Sequence, residues 1–262
     1  MSSDKLSKNE DTILIKILSN LPIEKAAATS LLSRRWRYLW TRTTSLRINN
    51  SSFHSTKFYT ILIHCAKQLS WDNFHTVDLQ FTSIVPQFDI SLSNNVIHDI
   101  VFGQNLRVVN VKFGSGIFNK YEGKLRLPTC LFEMQSLEEL HLSNRFKLEL
   151  PKKGINLPCL KKLDIHVCCS QLQFLSNLVT SCPLLEHLRV NTLLEFSKSC
   201  ITICSWSLKS LRVEINFNKY DDYYSKPALR ILGNMPKLED IDLQGSTGAS
   251  ISFSKLNSSI IV

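Results

Sequence analysis

One phrase recurs through the last two thirds of this 262-residue chain and limits what it can fold into. Residues 74–79, 106–111, 137–142, 160–165, 185–190, 208–213 and 238–243 each read leucine, two others, leucine, one other, leucine, with Phe, Val and Ile as conservative replacements. A six-residue phrase of this kind cannot bury its apolar side chains alone. Stacked in parallel, copies of it bury a continuous core, with the return path crossing the opposite side as helix or loop. The copies start 32, 31, 23, 25, 23 and 30 residues apart. The shorter intervals fall in the range of about 20–29 residues typical of leucine-rich repeats.

Other signals agree. Pro158, Pro183 and Pro236 stand two residues before the opening leucine of three copies, where proline ends a preceding helix and feeds the chain into a strand. Leu172, Leu175, Leu178 and Val179 mark a returning helix over 170–180. The strict repeat often places Asn or Cys eight residues after its first leucine, and here Cys168 and Asn216 satisfy that position.

Residues between the core leucines are expected on the open concave face. The row between the second and third leucines reads Asp78, Asn110, His141, Asp164, Arg189, Arg212, Asp242. The rows on either side include Glu139, Lys162 and His187, and His166, Asn191 and Glu214. Stacking would set Glu139 beside Lys162, Asp164 beside Arg189, and Arg212 beside Asp242. Two readings stand: a polar face for a target protein, or a ladder of exposed pairs worth about 0.2–1 kcal/mol each. The mixed signs speak against nucleic acid, which calls for a basic stripe.

The chain ahead of the repeats carries a different pattern over residues 11–40. Ile13, Leu14, Ile17, Leu18 and Leu21 follow a helical period, and Pro22 sits where a second helix can start. Ala26, Ala27, Ala28, Leu31 and Leu32 belong to that second helix. Ser33 can cap a third over 34–40, with Trp36, Leu39 and Trp40 on its apolar side. The pieces Ile15-Lys16-Ile17-Leu18, Leu21-Pro22, Thr29-Ser30-Leu31-Leu32-Ser33 and Arg34-Arg35-Trp36-Arg37-Tyr38-Leu39-Trp40 resemble an F-box of the plant type that precedes leucine-rich repeats. The phrases at 127–132 and 181–186 resemble recurring phrases of the same F-box/FBD group, and the resemblance covers about residues 6–245. It implies docking on a Skp-type adaptor, and through that a cullin–RING ubiquitin ligase. The family usually opens with Leu-Pro where this chain has Asn9-Glu10, and the C-terminal FBD region of many relatives is not seen before Val262.

Composition bounds the remaining possibilities. Of the net charge of +9, residues 1–60 hold ten basic against four acidic side chains, so the excess lies mainly in the head. Arg34, Arg35, Arg37, Arg42 and Arg47 suit an acidic protein partner, nucleic acid, or a solvated helix edge, and the resemblance favours the first. No run of eighteen apolar residues and no signal-peptide core is present, which points to the nucleus or cytoplasm and to eight reduced cysteines. No GxSxG, P-loop or HExxH motif occurs. The His166, Cys168, Cys169 and Cys182 set, like Cys200 with Cys204, lacks metal-ligand spacing.

The expected architecture is α/β: a small helical F-box over 6–41, a linker with a short strand (45–50) and an amphipathic helix over 42–73, and a curved leucine-rich-repeat solenoid over 74–262 with a parallel sheet on its concave face. The resemblance implies a non-enzymatic substrate-recognition adaptor without cofactor or metal. Ile13, Leu14, Ile17, Leu18, Leu21, Pro22, Leu31, Trp36 and Trp40 would serve head folding and adaptor binding together. Glu139, His141, Lys162, Asp164, His166, His187, Arg189, Arg212 and Glu214 are the candidates for target binding. The alternative is a leucine-rich binding module without ligase coupling, motivated by Asn9-Glu10.

Overall fold

The computed structural model describes residues 10–49, 74–81, 105–114, 126–143, 151–168, 171–194, 198–217, 228–245 and 250–255, with positions 64, 67–69, 95, 97–100, 146, 148 and 149 between them. The chain is α/β and divides into two compact units, Met1–Tyr121 and Glu122–Val262.

In the first unit, helix α1 (Asp11–Leu18) and helix α2 (Ile23–Ala28) are followed by 3-10 turns at Thr29–Leu31 and Trp36–Arg42. Leu14, Leu18, Ala26, Trp36 and Leu39 form the buried cluster of the head, with Ile15, Leu21 and Trp40 packed against it. The second helix is shorter than expected, ending at Ala28, and Leu31 and Leu32 are exposed rather than in the core. The third is a 3-10 turn that starts at Trp36 without a side-chain cap, so Ser33 does not play that part. Strand β1 (Ser45–Asn49) was expected in a linker, yet it pairs in parallel with β2 (Thr76–Phe81), which pairs with β3 (Val108–Phe113). Ser19 ties head to sheet. Its hydroxyl donates to the Ile15 carbonyl and accepts from the Thr44 amide at 2.9 Å, and the Ser45 hydroxyl donates to the Ser19 carbonyl. The amphipathic helix expected after residue 57 lies mostly outside the described residues.

In the second unit, β4 (Glu139–Ser143), β5 (Lys162–Cys168), β6 (His187–Leu194), β8 (Ser210–Phe217) and β10 (Asp240–Gly245) lie side by side in that order, all parallel. Each strand begins at the third position of its leucine phrase. The leucine positions of β4, β5, β6 and β8 are at most 2 % exposed. In β10 the burial weakens, and Ile241 is exposed.

The turns explain the prolines. The amides of Leu160, Leu185 and Leu238 donate to the carbonyls of Leu157, Cys182 and Met235, which makes Pro158, Pro183 and Pro236 the second residue of a β-turn. Proline's fixed φ favours that position. The 137 copy makes the same turn, from Leu137 to Met134, without proline.

The return path differs from the expected helix-or-loop. Helix α3 (Leu172–Thr180) forms near the expected span, burying Leu172, Phe174, Leu175, Leu178 and Val179. It packs on β7 (Lys198–Cys204), and β7 pairs with β9 (Ala228–Asn234), which pairs with β11 (Ser250–Lys255). These three strands form a second parallel sheet. Ile201, Ile203, Leu229 and Ile231 are buried while Cys200 and Arg230 are exposed, a period-two alternation that selects strand over helix. Asn216 also departs from the strict repeat. β8 extends through it, and its side chain is exposed, donating to Asn191 Oδ1 at 3.1 Å.

Candidate functional site

Two surfaces hold the residues singled out in the sequence. The first is the head. Leu14 and Leu18, one turn apart on α1, are 0 % and 1 % exposed. Ile13 and Ile17, also one turn apart, are 47 % and 42 % exposed. The helix therefore carries two apolar stripes, one in the core and one facing water. Leu31 at 89 % exposed, Leu32 and Tyr38 are further large apolar groups left outside on the head. Pro22 is exposed, Leu21 and Trp40 are half-buried, and Trp36 is buried. The nine predicted head residues thus separate by burial: Leu14, Leu18 and Trp36 make the core, and Ile13, Ile17, Pro22 and Leu31 do not.

Glu10 stands at the N-cap of α1, and its carbonyl accepts from the amides of Ile13 and Leu14. Its side chain is exposed, so the departure at this position adds a charge beside the outward stripe without disturbing the helix start. Arg35 is held by Asp11, with Nε and Nη2 donating to one carboxylate oxygen at 2.9 and 2.8 Å. Arg42 lies 3.9 Å from the other oxygen of Asp11.

The second surface is the polar face of the sheet in the second unit. Register sets Glu139 opposite Lys162, Asp164 opposite Arg189, and Arg212 opposite Asp242, as the leucine spacing implies. Lys162 Nζ donates to Glu139 at 2.8 Å, and Arg212 Nε donates to Asp242 at 2.8 Å. Arg189 takes a diagonal partner instead, donating from Nη2 to Glu214 at 2.6 Å. Its directly opposite neighbour on β8 is Arg212, a like charge, and Glu214 two residues further on draws it aside. Asn191 also donates to Glu214, at 3.1 Å.

His141 lies between two carboxylates, its Nε2 3.5 Å from Glu139 and its Nδ1 3.9 Å from Asp164. The longer distance is that of an ion pair rather than a direct hydrogen bond. Asp164 and then Glu139 hold the imidazole pKa above its ordinary value, outweighing desolvation. Lys162 holds the Glu139 carboxyl below the usual range. Burial pushes Asp164 up, but His141, Arg189 and His166 outweigh it and leave its pKa lowered. Glu214 raises Arg189. His141, Lys162, Asp164, His187, Arg189 and Arg212 border an open depression of about 340 Å³, with Ser210 completing its rim. His166 and Glu214 are on the same face but do not line it.

A further column was missed in the sequence. The second position of the leucine phrase reads Glu138, Lys161, Glu186, Lys209, Glu239 through the five successive copies of this unit. Lys161 donates to Glu138 at 3.3 Å and Lys209 to Glu186 at 3.1 Å. Lys209 holds the Glu186 carboxyl below its ordinary pKa. The strict alternation of sign at one repeat position was the available signal. In the first unit the corresponding face is an amide and carboxylate network: Asn110 and Gln80 donate to Asp78 at 2.9 and 3.1 Å, and Asn49 donates to Gln80 at 3.2 Å.

Among the described residues no three His, Cys, Asp or Glu side chains stand close enough to hold a metal ion. No described helix is long and apolar enough to cross a membrane.

A helical head with an outward apolar stripe, followed by parallel strands laid down once per leucine phrase, defines a protein-interaction module of the F-box and leucine-rich-repeat class. Comparison with known proteins agrees: residues 10–47 match the F-box domain, and residues 104–254 match the family described as FBD-associated F-box protein At5g56370, LRR repeats. The chain belongs to this FBD-associated F-box family of leucine-rich-repeat proteins. It is similar to three proteins of Arabidopsis thaliana: F-box/FBD/LRR-repeat protein At5g56420 (29 % identical, covering 94 % of this chain and 56 % of the relative), FBD-associated F-box protein At5g22730 (26 %, 94 % and 53 %) and F-box/FBD/LRR-repeat protein At2g04230 (29 %, 82 % and 48 %). The chain therefore spans about half the length of these curated relatives. No solved structure matches it.

Proposed function

We propose that the protein is the substrate-recognition adaptor of a Skp–cullin–F-box ubiquitin ligase, acting in the nucleus or cytoplasm. The head would dock on a Skp-type adaptor, and the polar sheet face would present a target protein. No bond is made or broken by this chain in such a role; it raises the local concentration of target near the ligase. The observation that carries the reading is the outward stripe of Ile13 and Ile17 on a helix whose opposite stripe is fully buried. Large apolar groups kept in water in this way mark an interaction surface. Leu31 and Pro22 supply further apolar area on the head.

The exposed charge of Glu10 supports a second reading, a binding module that no longer couples to a ligase. One experiment separates the two. The full chain is incubated with a purified Skp-type adaptor and captured, beside Ile17→Asp and Leu31→Asp. Capture of the parent and loss in both variants, each with unchanged circular dichroism, is the expected result. Failure of the folded parent chain to bind would sink the ligase reading and leave the second.

A further inference from the structure

We propose that the depression on the polar face of the second unit takes an acidic segment of a partner polypeptide, reading Asp and Glu carboxylates through Lys162, Arg189 and Arg212. The proposal deepens the target-presenting role assigned to this face and rests on it. Its first support is the depth at which each sign of charge sits. The side chains of Lys162, Arg189 and Arg212 are 49 %, 46 % and 46 % exposed, while their partners Glu139, Glu214 and Asp242 are 32 %, 23 % and 30 % exposed. Glu139, Glu214 and Asp242 do not line the depression, whereas the three more exposed cations do. Each cation is thus paired with one carboxylate while about half of its side chain stays exposed.

The second support is the pairing of Arg189 with Arg212 in direct register on β6 and β8. Two like charges directly opposite one another weaken a sheet. An incoming carboxylate between them relieves that repulsion, whereas a neutral ligand does not. Third, the lining carries three permanent cations, Lys162, Arg189 and Arg212, against one carboxylate. His187 and Ser210 sit in the adjoining row, and Asp164 is the one carboxylate that lines the depression.

The same charges select the ligand class. Asp164 within the depression, with Glu139, Glu214 and Asp242 around it, repels a continuous string of phosphates, so a nucleic acid backbone is disfavoured. A peptide can place separate carboxylates against separate cations and leave Asp164 unopposed. The depression is also open and shallow, suited to an extended chain rather than to an enclosed small molecule.

The test uses the full chain and fluorescein-labelled dodecapeptides of Asp, Glu, Gly and Ser, beside counterparts with Asn and Gln in place of the acids, read by fluorescence anisotropy. The acidic peptides are expected to bind at least about tenfold more tightly than the neutral ones, with affinity falling as salt rises. Arg189→Gln with Arg212→Gln should remove that preference, and Asp164→Asn should strengthen acidic binding, a gain that a merely structural role for Asp164 would not give. Arg126→Gln, which alters an exposed cation off this face, should change nothing. Equal binding of acidic and neutral peptides, or acidic binding that does not weaken as salt rises, would overturn the inference. Neither result bears on adaptor capture by the head, which fails or stands on its own measurement.

Discussion

The division of α1 into a buried and an exposed stripe predicts opposite outcomes for two truncations one turn apart. Leu14→Ala removes a side chain that is 0 % exposed and packed among Leu18, Ala26, Trp36 and Leu39. Deleting these buried methyl and methylene groups costs the lost transfer energy plus a cavity term, together about 3 kcal/mol within a usual range of about 2–5. Small units are stable by only about 5–15 kcal/mol in total, so the loss is a large fraction of what holds the head. Ile17→Ala removes a side chain that is 42 % exposed and leaves no enclosed void. Alanine is also the better helix former by about half a kcal/mol, which offsets part of the lost contact. Its net cost should stay below about 0.5 kcal/mol. Urea unfolding followed through tryptophan fluorescence, to which Trp36 and Trp40 of the head contribute, resolves the two. With a slope of about 1–3 kcal/mol per molar urea, Leu14→Ala should lower the head's midpoint by about 1–3 M, and Ile17→Ala by less than about 0.5 M. Equal shifts would refute the two-stripe assignment, and with it the argument that Ile17 is kept outside for a partner.

Four further outcomes follow from the second unit. Thr192 is fully buried on β6, and its hydroxyl has no hydrogen-bond partner among the described residues, so Thr192→Val should raise stability by about 1 kcal/mol in a urea titration. A Cβ added at Gly233 would fall 2.9 Å from Phe253 Cε2 and 3.3 Å from the Ile203 carbonyl oxygen, besides 2.4 Å from Cε at the flexible end of Met235, so Gly233→Ala should cost about 1 kcal/mol by overpacking, measured as a lowered melting temperature. The His141 cluster contributes a pH dependence with two limbs. The imidazole's share is present below its ordinary value of 6.5 and is lost as pH rises through its raised folded value, while the Glu139 and Asp164 shares are present above their ordinary values of 4.5 and 3.8 and are lost as pH falls through the lowered folded ones. The unfolding free energy from urea titrations should decline by under about 1 kcal/mol as pH rises above 6.5, and His141→Gln should abolish that upper limb. Burial pushes the Cys182 thiol up to about 12, so maleimide labelling of the native chain read by mass spectrometry should modify exposed Cys200 and spare Cys182.

The repeat sheet was readable because its period is coarse and its core positions are chemically uniform. All seven leucine phrases became strands that start at the same phrase position, from Thr76 in β2 to Asp240 in β10. Register followed without further information, since stacking identical phrases leaves one alignment that buries every leucine. The second sheet was not readable by the same route. Its strands β7, β9 and β11 share no phrase; they share only alternation, as in Ile201 and Ile203 against Cys200 and Thr202. The Glu138-to-Glu239 column shows the opposite failure, a regular signal present in the sequence but at a position where the leucines draw the attention. Arg189 shows a limit of another kind. Register places it between Asp164 and Arg212, but a long side chain can reach a diagonal neighbour, and only the coordinates reveal that Glu214 is the partner taken.

The head sets the stricter limit. Ile13, Leu14, Ile17 and Leu18 are all large, aliphatic and within two turns, so periodicity locates a helix but cannot say which pair faces inward. Burial depends on where Ala26, Trp36 and Leu39 close over the helix, and that closure is tertiary. Once it is known, the functional reading becomes sharper than any motif match. Trp36→Ala and Leu18→Asp would abolish adaptor capture by unfolding the head, whether or not those residues touch a partner. Ile17→Asp and Leu31→Asp leave the buried cluster intact, so loss of capture in a folded chain would have to arise at the surface. Those two positions, and not the most buried ones, are where fold and docking come apart.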